Sequence, residues 1–150
     1  MTEPKAGLKR GYYLLNTDGD MASDGRRRSG DPLGRAAIGA LLRTTSLATV
    51  DQIRKEIGPA THNVAEYQGL IEGLKLARKH GVQRIRIYMD SELVVEQVNR
   101  RSAVRQAHLS ELHKVASDLV ALFKSIRISW VPRVWNAEAD RLVRDALGRH

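Results

Sequence analysis

Four acidic residues stand at comparable places along this chain. Asp18 ends a run of strand-forming residues, Glu66 lies in the first turn of an amphipathic segment, Asp90 ends a second strand-like run, and Asp140 lies in the first turn of a last helical segment. Carboxylates repel one another and gather around a cation. There is no cysteine, so the ligands available are oxygen and imidazole, and a set of carboxylates suits Mg²⁺, with Mn²⁺ as a substitute. Two such ions about 3.5–4 Å apart activate water on one side of a phosphodiester and stabilise the leaving oxygen on the other. Each acid also has a local reading. Asn63-Val-Ala-Glu66 has capping-box spacing, Asp140 could complement a helix dipole or pair with Arg144, Asp18-Gly19 could be a turn, and Asp90-Ser91 could start a helix.

The setting favours a polyanionic partner. The 150 residues carry a formal net charge of +8, and neutralising phosphates releases counterions. Basic residues exceed acidic ones on both sides of residue 60, so the excess is not confined to one tail. The five histidines show no metal-ligand spacing. Tyr12 to Leu15 is too short for a signal-peptide core or a membrane span, so a cytoplasmic protein without membrane contact is expected.

The elements that must position the acids follow from periodicity. Gly11 to Asp18 reads as a strand with Tyr12, Leu14, Asn16 and Asp18 on one face, stopped by Gly19. Asp20 to Leu33, rich in Gly, Asp, Ser and Pro and carrying Arg26, Arg27 and Arg28, reads as an extended loop. Ala36 to Thr45 and Ser46 to Glu56 read as a hairpin, the first also compatible with a short helix. Val64, Tyr67, Ile71 and Leu74 recur at helical spacing within Asn63 to His80, with Gly81 as the stop. Arg84 to Asp90 and Ile126 to Val131 alternate as half-buried strands. Ser91 to Asn99 starts a helix, Leu109 to Phe123 marks a longer one, and a last helix runs from Asn136, an N-cap candidate, to about Leu147. The whole is read as one α/β domain over 1–150, with 1–10 flexible: a strand meander followed by strands entering through helical crossovers.

Four motifs, Asn-Thr-Asp18-Gly, Thr61-His-Asn-Val-Ala-Glu66-Tyr, Met-Asp90-Ser-Glu-Leu-Val-Val and Asn136-Ala-Glu-Ala-Asp140-Arg-Leu, resemble in order and spacing those of the type 1 ribonuclease H family. The likeness covers the chain from about Tyr12 to Leu147. It implies a mixed five-stranded sheet, three antiparallel meander strands then two parallel ones, with helices on both faces. It also implies two-ion endonucleolytic hydrolysis of the RNA strand of RNA/DNA hybrids by a monomer, leaving 3′-hydroxyl and 5′-phosphate ends. Asp18 would bridge both ions, Asp140 would join it on the water side, and Glu66 and Asp90 would hold the ion facing the leaving oxygen. Glu66 falls where relatives sense the RNA 2′-hydroxyl, the group that distinguishes RNA from DNA.

The resemblance places Asn63 and Thr61 against the hybrid's minor groove and a DNA phosphate, with helix capping as the alternative for each. Asn16 joins this set as a residue that orients Asp18, with ordinary interior polarity as its alternative. Three departures stand out. The family's Gly-Asn-Pro-Gly-like turn after the first Asp is replaced by Asp20 to Leu33, the loop histidine of many bacterial relatives is absent from Pro132-Arg-Val-Trp-Asn136, and Asn99 to Gln106 offers Arg100, Arg101 and Arg105 in place of a Trp-rich basic handle. The chain therefore resembles the handle-less, archaeal-like subtype, some of whose members also cleave double-stranded RNA. Arg26 to Arg28 would supply part of the handle's charge, or form a solvated loop. Trp130 and Trp135 are expected as core and loop-anchoring residues. The rival readings are a DNA-directed nuclease of the same fold and a catalytically silent hybrid- or RNA-binding module.

Overall fold

A computed structural model describes residues 11–22 and 34–148. Its elements are β1 (Tyr13–Met21), β2 (Gly34–Arg43), β3 (Thr49–Ala60), α1 (His62–Lys79), β4 (Arg84–Met89), α2 (Glu92–Val98), α3 (Ala107–Val120), β5 (Ser125–Trp130), a 3-10 turn (Arg133–Asn136) and α4 (Ala137–Ala146). The strands lie in the order β3-β2-β1-β4-β5. β1, β2 and β3 pair antiparallel, and β4 and β5 join parallel to β1 and to each other. This is the mixed five-stranded sheet expected from the sequence.

Alternation along the strands sends side chains to two covered faces. On one face Leu15, Ala40, Leu42, Ile85 and Ile87 pack with Leu70 and Leu74 of α1, Val94 of α2 and Leu109 and Ala116 of α3 in the main core. On the other, Ala37 packs with Val143 and Leu147 at the end of α4. Small residues in β2 admit that helix closely, since a Cβ on Gly39 would stand 2.7 Å from Leu142 Cβ.

Several local expectations change in the folded chain. β1 does not stop at Gly19: it continues to Met21 because β2 keeps pairing with it, Gly19 opposite Ile38 and Met21 opposite Ala36. Asp20 and Met21 are therefore strand residues, and the remainder of the expected loop at 23–33, with Arg26, Arg27 and Arg28, lies outside the described residues, as does 1–10. β2 is a strand throughout, which removes the helical alternative. β3 extends past Glu56 to Ala60 through a bulge at which Gly58 takes a φ of 85°. α1 begins one residue earlier than its periodicity suggests, because Thr61 accepts the Val64 N–H at 3.2 Å and caps it. Glu66 thus sits in the second turn, and the capping-box reading of Asn63 to Glu66 does not hold. Residues 99–106 connect α2 to α3 without a further helix.

Candidate active site

The ends of β1 and β4 are adjacent in the sheet, and α1 packs over β1 and β2 beside them. β1 supplies Asp18, the residue after β4 is Asp90, and α1 presses close enough to lower Glu66 onto both. The approach depends on two glycines. A Cβ on Gly19 would stand 2.0 Å from Ala65 O, and one on Gly69 would stand 2.5 Å from Asp18 O. Helix and strand backbones are in contact there with no side chain between them.

Asp18, Glu66 and Asp90 each present an oxygen within 4.8 Å of the others. Asp18 is 4% exposed and Glu66 1% exposed, and Glu66 Oε1 has no hydrogen-bond partner. A buried, unpartnered carboxylate oxygen beside two other acids is costly unless something neutralises it. The electrostatics reflect this. Burial, with the Asp90 charge next, pushes the Asp18 carboxyl up to about 8. Burial and then Asp18 and Asp90 raise Glu66 well above the usual carboxylate range. Asp90 is raised chiefly by burial, against lowering by Asn136 and Arg133. An all-oxygen pocket of this kind fits a hard divalent cation, whose charge would remove each of these penalties.

Asp140 stands outside the group of three. Its carboxylate is held by Arg133 at 3.2 Å and by Arg144 at 3.7 Å, so the expected i,i+4 pairing is present. Its charge nonetheless raises both Asp18 and Asp90, which places it on the rim of the same site. Arg133 also lies 4.0 Å from Asp20, and Asp20 meets His62 Nδ1 at 2.9 Å. His62 Nε2 is 3.6 Å from Glu66 Oε2. A chain of contacts therefore runs from Asp140 through Arg133, Asp20 and His62 to Glu66, and the sequence alone does not assign Asp20, His62 and Arg133 to the site. From the sequence Asp20 is expected as the first residue of a loop. Only the extension of β1 brings it here.

Asn136 is the residue whose part was least visible. Its backbone occupies the cap position of α4, but its side chain makes no cap bond. It is fully buried, with Oδ1 accepting from Asn16 Nδ2 at 3.0 Å and Nδ2 donating to Thr17 O at 2.9 Å, and it lowers Asp90 against the effect of burial. Asn16 in turn accepts from Arg43 Nη2 at 3.0 Å. At 5% exposure and bonded on both sides, Asn16 is part of an interior network next to Asp18. Thr61 spends its hydroxyl lone pair on the helix cap and keeps the O–H free to donate. Asn63, half-buried one turn before Glu66, opens to the same side. The tryptophans depart from expectation. Trp130 is 48% exposed and Trp135 is 71% exposed, so neither is a core residue, although the Trp130 indole does anchor to Asp90 O at 3.3 Å.

Residues 23–146 match the family model described as reverse transcriptase-like. Over 126 residues the chain is 44% identical to a bifunctional protein of Mycobacterium tuberculosis, an alignment covering 83% of this chain and 34% of that protein. The solved N-terminal ribonuclease H domain of that mycobacterial protein has a TM-score of 0.83 to this chain at 37% identity, covering 92% of this chain and 94% of the domain. The chain belongs to the ribonuclease H family. The ribonuclease H1 of Halobacterium salinarum agrees, with a TM-score of 0.82 at 33% identity over 92% of this chain and 98% of the other. A further member, LC11 ribonuclease H1 solved in complex with an RNA/DNA hybrid, has a TM-score of 0.78 at 28% identity over 91% of this chain and 96% of the other. The curated mycobacterial and halobacterial relatives are longer, and the chain spans 34% and 61% of them.

Proposed function

We propose that this chain is a divalent-metal-dependent endoribonuclease that hydrolyses the RNA strand of RNA/DNA hybrids. The observation that carries the reading is the convergence of buried Asp18 and Glu66 with half-buried Asp90 within 4.8 Å, each carboxyl raised by burial and by its neighbours' charge, in a chain of net charge +8. A basic protein gains nothing in stability from such a pocket, whereas a phosphodiesterase needs it filled with cations. The similarity to a ribonuclease H1 seen with a hybrid supports the substrate class.

Asp18, Glu66 and Asp90 would hold the cation, with Asp140 facing Asp18 from the rim to complete a second position. Bound there, a pair of Mg²⁺ or Mn²⁺ ions would supply an activated water and stabilise the charge of the leaving 3′-oxygen, giving 3′-hydroxyl and 5′-phosphate ends. The chain's own groups do the rest. Asn136 and Trp130 fix the carboxylate and backbone of Asp90, Arg133 balances Asp140 and Asp20 and offers a cation to phosphate, and Thr61 and Asn63 offer donors at the N-terminus of α1, where the helix favours anions. By the resemblance, Glu66 would be the residue that meets the 2′-hydroxyl. Arg26, Arg27 and Arg28 would add long-range attraction for the strand.

The proposed protein acts as a monomer in the cytoplasm. No helix of the described residues is long and apolar enough to cross a membrane. The deciding experiment sets labelled RNA/DNA, RNA/RNA and DNA/DNA duplexes side by side with Mg²⁺ or Mn²⁺. Cleavage of the RNA in the hybrid is expected as the main activity, with double-stranded RNA as a slower second substrate; cutting of the DNA duplex with the hybrid left whole would overturn the reading. Asn136→Ala is expected to reduce the rate at saturating metal about tenfold and to lower the melting temperature by about 3–6 °C, because it strands Asn16 and Thr17 O in the interior. Steady-state rates and a thermal melt check both, and an unchanged rate would remove Asn136 from the positioning network.

A further inference from the structure

The 3-10 turn carries two side chains that the fold does not use. Val134 is 75% exposed and Trp135 is 71% exposed, successive along the turn. Among the described residues the Trp135 indole has no partner, and only its backbone is engaged, N–H to Pro132 O at 2.9 Å. The turn itself is not loose. Asn136, the next residue, is pinned to Asn16 and to Thr17 O, and Ala139 one turn further is fully buried. A large aromatic ring is thus held out into solvent on a rigid support, the arrangement of a preorganised contact.

Its surroundings say what it contacts. Arg133, two residues before Trp135, reaches Asp140 at 3.2 Å, and Trp135 immediately precedes Asn136, whose side chain bonds to Asp90, so the turn that carries the two exposed side chains is anchored to the carboxylate site. Two side chains are far too small an area for a stable interface with a second protein or a second copy, which needs roughly 800 Å² from each partner. They match one nucleotide. An A-form-like minor groove is wide and shallow and displays ribose rings to a protein surface, and a ribose has an apolar face that an indole can cover.

Resting on the hybrid-cleavage reading above, we propose that Trp135, with Val134 beside it, is a sugar-packing contact for the strand held at the carboxylates, one to three nucleotides from the scissile phosphate. Covering on the order of 60 Å² of indole is worth about tenfold in affinity. The contact is set by shape and by apolar surface, so it adds grip without base preference.

The test compares wild type, Trp135→Ala and Trp135→Phe as full-length chains on a blunt-ended RNA/DNA hybrid. Trp135→Ala is expected to raise KM about tenfold with kcat within about twofold, Trp135→Phe to recover most of the loss, and hybrid binding to quench indole emission more in wild type than in Trp135→Phe. A KM for Trp135→Ala equal to wild type, with quenching unchanged in Trp135→Phe, would overturn the inference while leaving hybrid cleavage by the wild type intact. A sedimentation shift from dimer to monomer in Trp135→Ala would overturn it in favour of self-association. If the wild type neither binds nor cuts the hybrid, the underlying reading fails first and this contact fails with it.

Discussion

Asp18→Asn is expected to lower hybrid cleavage about a thousandfold or more while making the metal-free protein more stable. The loss of rate follows from removing the carboxylate shared by both proposed cation positions, a contribution on the order of 4 kcal/mol to the transition state. The gain in stability follows from the same burial. Asp18 has its carboxyl raised from 3.8 to about 8, so the folded state binds the proton more tightly than the unfolded chain. Between pH 3.8 and about 8 the folded state therefore holds more protons, and stability falls as pH rises through that window. At neutral pH the destabilisation is on the order of a few kcal/mol. A neutral amide removes it. Thermal melts in chelator are expected to show Asp18→Asn above wild type by several degrees at pH 8, with the gap closing toward pH 4; a variant that is less stable than wild type at pH 8 would mean that the acids are not in conflict. Stability lost to a site in this way is a common signature of function.

Gly19→Ala is expected to unseat α1, since its new Cβ makes the closest clash of the glycine positions among the described residues. The new Cβ would stand 2.0 Å from Ala65 O and 2.7 Å from Glu66 N, both backbone atoms that no rotamer change can move. α1 must then shift off β1, at a cost of about 3 kcal/mol or more, which lowers the melting temperature by about 10 °C. The shift also withdraws Glu66 from Asp18 and Asp90, so cleavage is expected to fall at least a hundredfold even well below the melt. A Gly19→Ala protein melting within about 2 °C of wild type would show that the close approach of helix to strand does not set the site.

These two residues also show what the sequence exposes and what it conceals. Most elements and their boundaries are legible because alternation along β4 and β5 and the three-and-four spacing of Val64, Tyr67, Ile71 and Leu74 each report burial on one face, whereas the strand arrangement comes from the resemblance. Each carboxylate taken singly has an equally good local reading, and it is the four linked motifs of the resemblance that make them a set. Gly19 was misread because glycine after aspartate is ordinary turn chemistry, whereas its actual constraint comes from α1, about 45 residues away in sequence. The stop placed there hid Asp20, and with it the His62 contact. Asn136 looked like a helix cap because that reading is local, while its bonds run to Asn16 and Thr17 on β1. Trp135 looked like an anchor because tryptophans are usually covered; nothing along the chain indicates that the turn holds it outward.

The most direct test of the whole account is a metal titration of RNA-strand cleavage. A hybrid labelled on each strand is incubated with the protein in chelator and then with increasing Mg²⁺, and the ends of the products are determined. The account expects no cutting in chelator, a rate that rises with Mg²⁺ to saturation, an intact DNA strand, and RNA fragments ending in 3′-hydroxyl and 5′-phosphate. Cutting that persists in chelator would contradict it.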